Sequence, residues 1–539
     1  MDLTLAFTLI AIIAYILLLM VLKLKGAFKE EKVSLWGPFL MWRTQKGKNF
    51  IEKLASKKRF WRVYGSISIG ICFFAMILLM YVLIWTATLV SSIPKESAPP
   101  PQLLIGIPGL NPIIPLWYGI IALAVAIVMH EFAHGILTRV ADLKVKSLGI
   151  IACIVPIGAF VEPDEEELKA TTKKKRMKLF AVGPATNMIF ALICALIFSW
   201  VLIPSLSPVH EGVLTAGAYP DSPAHEGGLN KWWMEIVEIN ETQITELEDF
   251  EKVSAPNPLQ NVTIAYYYKG ELHTVNVTSG VVITHVSEDY PADKAGIEAG
   301  MIFYKVNGTV IRNDDDFKEA MKLTNAGQTI NITLYHYNET GKIYFTFNTS
   351  ATLEDKYEYY EEHYSASVND ESYKGMGFLG VGHSYLGLYP GGNPKLLVER
   401  LSRPVSSAEN SEGAFYNVAV YILLPFQRIS PFSSPMTDIY EINGPLSILP
   451  PELFWFITNV VYWLFWLSLM LGLTNALPAV PLDGGHIFKD GLDFIVSKIR
   501  KQLDPKVRER YVRAISYSIA LLVLFLFLWQ LVGPRILGY

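Results

Sequence analysis

The chain has 539 residues, 51% of them hydrophobic and only 18% charged, with a formal net charge of −4. That length allows several domains, and a mean hydropathy of +0.30 excludes an ordinary soluble globular protein. The net charge by itself says little about partners, and no nucleic-acid partner is expected.

Six apolar runs approach the length that crosses a bilayer, at residues 3–22, 64–90, 116–138, 179–203, 453–477 and 514–532. The first has no basic segment before it and no small-residue cleavage site behind it, so it reads as a retained helix and not a signal peptide. Lys and Arg concentrate in three places: "KLKGAFKEEK" to "KLASKKRFWR", "TTKKKRMK", and "SKIRKQLDPKVRERYVR". The positive-inside rule puts all three on the cytoplasmic side, which leaves outside termini and an exported loop between 203 and 453. Cys72, Cys153 and Cys194 lie in or beside apolar runs without disulfide or metal spacing, and read as small buried hydrophobes.

The third run ends in "IVMHEFAHGILTRV". His130 and His134 are four apart, hence on one helical face and able to share a metal, and Glu131 can reach a water held beside them. This HExxH arrangement supplies two imidazole ligands and a general base. An idle role fails inside an apolar helix, where each unpaired polar group costs several kcal/mol. Zinc needs a third protein ligand at membrane depth, and the fifth run ends in "GLTNALPAVPLDGGHIF", which offers Asp483. The prolines and glycines of that stretch must break the helix, and non-helical backbone at this depth lines a cavity or is buried in protein.

The exported loop changes character near residue 211, where alternating β-type patterns such as "NVTIAYYYKGELHTVNVT" begin. Seven of its ten Asn between 240 and 348 stand in N-x-Ser/Thr acceptors, at Asn240, Asn261, Asn276, Asn307, Asn331, Asn338 and Asn348, and none of the eleven elsewhere do. That enrichment agrees independently with an outward-facing loop. Residues 219–250 align with 289–317: each copy has a Pro-Ala turn, a short helix ending at Gly228 or Gly296, an apolar strand and an Asn turn. "EGAFYNVAVYILLPFQRI" (412–429) is apolar but short and broken by Pro425, and reads as an interfacial or re-entrant helix.

These motifs resemble known families. The "PA…AG(L/I)…(I/V)NG" pattern looks like two PDZ domains in tandem, though Trp232 and Trp233 replace the usual Gly-Asp in the first. PDZ domains bind extended peptides, including peptide termini, at a sheet edge. HEFAH with "NALPAVPLDGG" resembles the site-2 protease family of intramembrane zinc metalloproteases. "FAVGPATNMIFAL", with Gly183, Pro184 and Asn187, matches that family's GPxxN element, "KVKSLGIIACIVPIGAFV" its membrane-inserted hairpin, and "NGPLSI" the segment before its LDG-bearing span.

The resemblance implies that His130, His134 and Asp483 bind Zn²⁺, that Glu131 activates water, and that Asn475 holds the substrate backbone. Asn187 is expected to serve helix packing and helix-to-helix hydrogen bonding beside Gly183, and His486 to partner polar groups near the cytoplasmic side. The fold class expected is a polytopic α-helical membrane protein with six spans and two small α+β PDZ-like domains in an extracytoplasmic loop. Its parts are 1–112, two membrane spans with a basic loop; 113–203, HExxH span, hairpin and GPxxN span; 211–283 and 284–350, the PDZ-like domains; 351–444, a connector; 445–488, the LDG span; and 489–539, a basic loop and last span. The function implied is hydrolysis of peptide bonds within or near transmembrane helices of membrane-protein substrates, in the cell membrane, with the active site near the cytoplasmic face. Membrane gluzincins, which take a distal Glu as third ligand, fit Asp483 poorly. The alternative is a catalytically silent membrane scaffold whose PDZ pair binds peptides.

Overall fold

The computed structural model describes residues 14–23, 26, 33–36, 39–104, 106–153, 155–338, 343–363, 370–408, 410–427 and 429–538. The chain divides into two units: Met1–Val201 with Ile422–Pro431 and Phe456–Tyr539, and Leu202–Tyr421 with Phe432–Trp455.

The first unit begins with strands β1 (Val33–Trp36) and β2 (Phe39–Thr44), followed by helices α1 (Lys48–Ala55), α2 (Lys58–Thr88) and α3 (Leu116–Val140). Strands β3 (Val145–Cys153) and β4 (Val155–Pro163) and helix α4 (Lys173–Ile197) come next. Helix α5 (Ser411–Leu423) belongs to the second unit up to Tyr421, and α6 (Pro451–Asn475) from Phe456 on, α7 (Asp483–Ile499) and α8 (Pro505–Leu537) complete the first. Among the described residues five helical stretches are long and apolar enough to cross a membrane: Lys58–Thr88, Leu116–Val140, Lys173–Ser205, Pro451–Asn475 and Pro505–Leu537. Six spans were expected. Of the first, residues 3–13 lie outside the described residues, and Ala14–Lys23 is a short apolar helix. Three helices start six to nine residues before their apolar runs, at Lys58, Lys173 and Pro505. Lys and Arg are good helix formers whose stems follow apolar surface while their charges reach water, so the basic flanks join the helices.

The hairpin expected after HEFAH is present as β3 and β4, but it is half of a larger sheet. The four strands pair antiparallel in the order β1-β2-β3-β4, with β2 residues Leu40–Thr44 facing Leu148–Ala152 of β3. The basic loop before α2 was read as a plain loop, and the 100-residue separation of these partners hides the pairing. Helix α3 packs on α4 and β4, and α7 packs on α4. The segment between α6 and α7 is non-helical, as the Pro and Gly content required. Gly484 and Gly485 lie so close to the backbone of Ala476–Val480 that no side chain fits there. Cys72 and Cys194 are free and buried, as expected; the side chain of Cys153 lies outside the described residues. The apolar segment 412–429 forms α5, which stops at Leu423, two residues short of Pro425.

Among its described residues the second unit carries two large antiparallel sheets beside two two-stranded ribbons. Strands β5 (Val213–Ala218), β6 (Glu235–Ile239), β7 (Asn261–Tyr268) and β8 (Glu271–Thr278) build one, and β9 (Val281–Val286), β10 (Ile302–Val306), β11 (Thr329–Asn338) and β12 (Ile343–Thr352) the other. Their edges are completed late in the sequence by β13 (Val381–Tyr385), on β9, and β14 (Leu388–Pro390), on β5. The orders are β8-β7-β6-β5-β14 and β12-β11-β10-β9-β13. A shared core of Val213, Leu229, Ile236, Phe250, Val281, Phe303 and Leu334 follows from the alternation of apolar residues along the strands.

Candidate metal centre

Helix α3 presents His130 and His134 one turn apart, both buried, and the start of α7 brings Asp483 to them. The three donor atoms form a near-equilateral triangle. His130 Nε2 lies 3.1 Å from His134 Nε2 and 3.1 Å from Asp483 Oδ2, and His134 Nε2 lies 3.2 Å from that same oxygen. Four donors set tetrahedrally at ~2.0–2.1 Å around zinc stand about 3.3 Å apart, so the triangle has the size of one face of that shell. Two imidazole nitrogens and a carboxylate oxygen are also a donor set zinc accepts. The residues therefore fit the metal.

The other ring nitrogens are held by α4. His134 Nδ1 donates to the carbonyl of Leu179 at 2.7 Å, which leaves Nε2 bare, as a ligand must be. His130 Nδ1 meets the Asn187 amide at 3.3 Å, while Asn187 Oδ1 is buried without a hydrogen-bond partner. A half-turn of that amide lets Oδ1 accept from Nδ1–H, which satisfies the orphan and fixes the second tautomer. Asn187 was expected to serve helix packing and helix-to-helix hydrogen bonding, and its contact is of that kind, but made to a candidate metal ligand. The signal was available, because Gly183 and Asn187 are one turn apart and share a helical face. At Gly183 a Cβ would meet His130 Nε2 at 2.7 Å and His134 Nε2 nearer still, so only glycine lets α4 approach the imidazoles.

Glu131 is held by the sheet in this arrangement. Its Oε2 accepts the Val161 N–H of β4, the end strand of the sheet, at 2.9 Å. Asn475 is not joined to the cluster, and its amide donates to Leu471 O of its own helix at 3.1 Å. His486 stacks on Phe180 of α4, with ring centroids 4.4 Å apart and 13° between planes. Further along α7, Arg176 of α4 grips the buried Asp490 with two hydrogen bonds of 2.9 and 2.6 Å. Asp493 pairs with Lys173 at 2.5 Å and Arg508 at 2.8 Å. The pairs of Arg176 and Lys173 lock α7, and hence Asp483 at its start, to the helix that orients both histidines, and Arg508 ties α7 to α8.

A bundle of apolar helices with HExxH on one and a carboxylate delivered from another defines a membrane-embedded metalloprotease. Residues 118–525 match Peptidase family M50, and the chain belongs to that family, the site-2 type of intramembrane protease. The regulator of sigma-E protease RseP of Escherichia coli is 21% identical over 435 residues, 68% of this chain and 88% of its own length. Protease RseP of Yersinia pestis is 21% identical over 470 residues, 76% of this chain and 95% of its own. An uncharacterized protein of Methanocaldococcus jannaschii is 36% identical over 221 residues, which covers 40% of this chain and 56% of that protein.

Proposed function

We propose that this chain is a zinc metalloendopeptidase that cuts peptide bonds within or near transmembrane helices of membrane-protein substrates. The observation that carries the reading is the triangle of His130, His134 and Asp483, sized for zinc and backed by two tautomer-fixing partners on α4. Zinc held there supplies a Lewis acid and lowers the pKa of a bound water towards neutrality. Glu131, one residue from the first ligand, takes a proton from the attacking water and returns it to the leaving amine. Its Oε2 accepts the Val161 N–H, which helps to position the carboxylate. A substrate helix hides its carbonyls in hydrogen bonds, so the target must unwind first. The outer edge of β4 then offers backbone groups for the unwound strand, and Asn475 a side-chain amide at the end of α6.

The two sheets of the second unit are read as tandem PDZ domains. Their matching strand order supports a duplication, as do parallel contacts: Trp233 N–H to Thr215 O repeats as Gly300 N–H to Ile283 O. In the second domain a cavity of about 610 Å³ lies between helix Asp314–Lys322 and β13, bordered by Lys318, Lys356 and His383. That groove would accept a peptide terminus. In the first, Trp233 holds φ 69° where the second copy has Gly300, which marks a departure from the pattern. The reading sets the second unit outside the cell and the metal centre towards the cytoplasmic face of the plasma membrane, supported by the Lys and Arg clusters and the acceptor tally.

Cleavage of a membrane-embedded model substrate by the wild type and by Glu131→Gln tests the proposal. Cleavage that disappears in Glu131→Gln while zinc stays bound supports it. Zinc retention with no Glu131-dependent cleavage would favour the scaffold.

A further inference from the structure

At the end of α3 that carries His134, a cavity of about 190 Å³ opens between the starts of α2 and α4. Its cationic walls are Arg62, Lys174, Lys175 and Lys178, and its floor is Leu137 and Val140, the last turn of the metal-bearing helix. No acidic side chain borders it. Lys178 Nζ donates to Arg62 O at 2.8 Å and Lys175 Nζ to Ala141 O at 3.2 Å. These carbonyl contacts place no carboxylate against the cations, and Asp142 attracts Lys175 and Arg62 only from beyond ion-pair distance. Among the described residues none of the four cations has a carboxylate within ion-pair distance; Asp142, nearby, is held by Lys58 at 2.5 Å. Nor does the first turn of α4 carry an acidic residue to offset these cations.

We propose that this cavity binds a phosphate ester anion, the headgroup of an anionic phospholipid. Four like charges converging on one concavity repel each other, and an anion relieves that repulsion. The lipid source is favoured by what flanks the cavity. Val63 and Ile67, one and five residues after Arg62 on α2, are 56% and 54% exposed and offer apolar surface for acyl chains. Basic pockets between membrane helices are suited to such headgroups, and the positive-inside bias assigns these helix ends to the inner leaflet. An occupant would brace the last turn of α3 against α4, three residues beyond His134.

The test uses detergent-solubilised full-length protein and fluorescent phosphatidylglycerol, with phosphatidylcholine and inorganic phosphate as the other probes. Removing cations at about fivefold each, the variant R62Q/K174Q/K178Q should bind phosphatidylglycerol on the order of 100-fold more weakly. The control K498Q/R500Q/K501Q, which neutralises exposed cations outside the cavity, should bind as the wild type does. Ala141→Glu, which sets one carboxylate at the cavity mouth with all cations kept, should also lose binding. Equal losses in the triple variant and the control, or unchanged binding in Ala141→Glu, would overturn the site. Inorganic phosphate displacing the lipid at matched concentration would overturn the lipid source. The measurement is independent of proteolysis, so its failure and that of the proposed activity are distinguishable.

Discussion

Gly183→Ala asks whether α4 truly touches the two imidazoles. The added Cβ would stand 2.7 Å from His130 Nε2, where ordinary contact begins at 3.4 Å, a deficit of 0.7 Å. Neither ring can simply retreat, because Leu179 O and Asn187 hold their far nitrogens. Site geometry tolerates displacements of only about 0.5 Å before function suffers. Overpacking of this kind costs about 1–3 kcal/mol. If that falls on the liganded geometry, zinc affinity drops roughly 5- to 150-fold at 1.36 kcal/mol per decade. Chelator competition on the purified variant reads it directly, with thermal unfolding of the metal-free protein recorded alongside. A variant that binds zinc within about twofold of wild type and unfolds at the same temperature would refute the close approach.

Three further outcomes are expected. Glu131→Gln keeps zinc but loses about 10²–10⁴-fold in cleavage rate, read as initial rates on a membrane-embedded substrate. Asn187→Leu, close in volume but unable to accept from His130, lowers zinc affinity or activity about 10–100-fold, while Asn187→Asp preserves most of it. Glu235 of β6 is 1% exposed with both carboxylate oxygens unpartnered, and burial pushes its pKa up to about 7. Because the folded-state value is raised, its stabilising effect is complete below the unfolded pKa near 4.5 and is lost as pH rises to 7. The difference in stability between wild type and Glu235→Gln should therefore change by on the order of 3 kcal/mol across that window. Unfolding of the second unit, followed from pH 4.5 to 8, checks this, and a pH-independent difference would contradict it.

Much of the candidate site was legible because its chemistry is local. The i, i+4 spacing of His130 and His134 sets both on one face whatever surrounds them, and the Pro and Gly content of 478–485 forces a break that frees the Asp483 end. Strand alternation in 261–278 likewise announced its hairpin. What stayed hidden depends on long-range packing. Glu131 bonded to Val161, His134 to Leu179, and β2 beside β3 are partners 30 to more than 100 residues apart, and no single-sequence period encodes them. Glu235 was invisible for a different reason: a carboxylate in "WWMEIVEI" reads as the strand's solvent-facing position, and burying it violates that pattern. The helices that start at Lys58 and Lys173 reach beyond the apolar runs because long cationic side chains extend a span.

The central claim is that His130, His134 and Asp483 together hold one zinc. Metal content of the purified chain and of Asp483→Ala, taken under equal chelator, tests it most directly. One zinc per wild-type chain and its loss from Asp483→Ala is the predicted result. Stoichiometric zinc retained in Asp483→Ala would contradict the account.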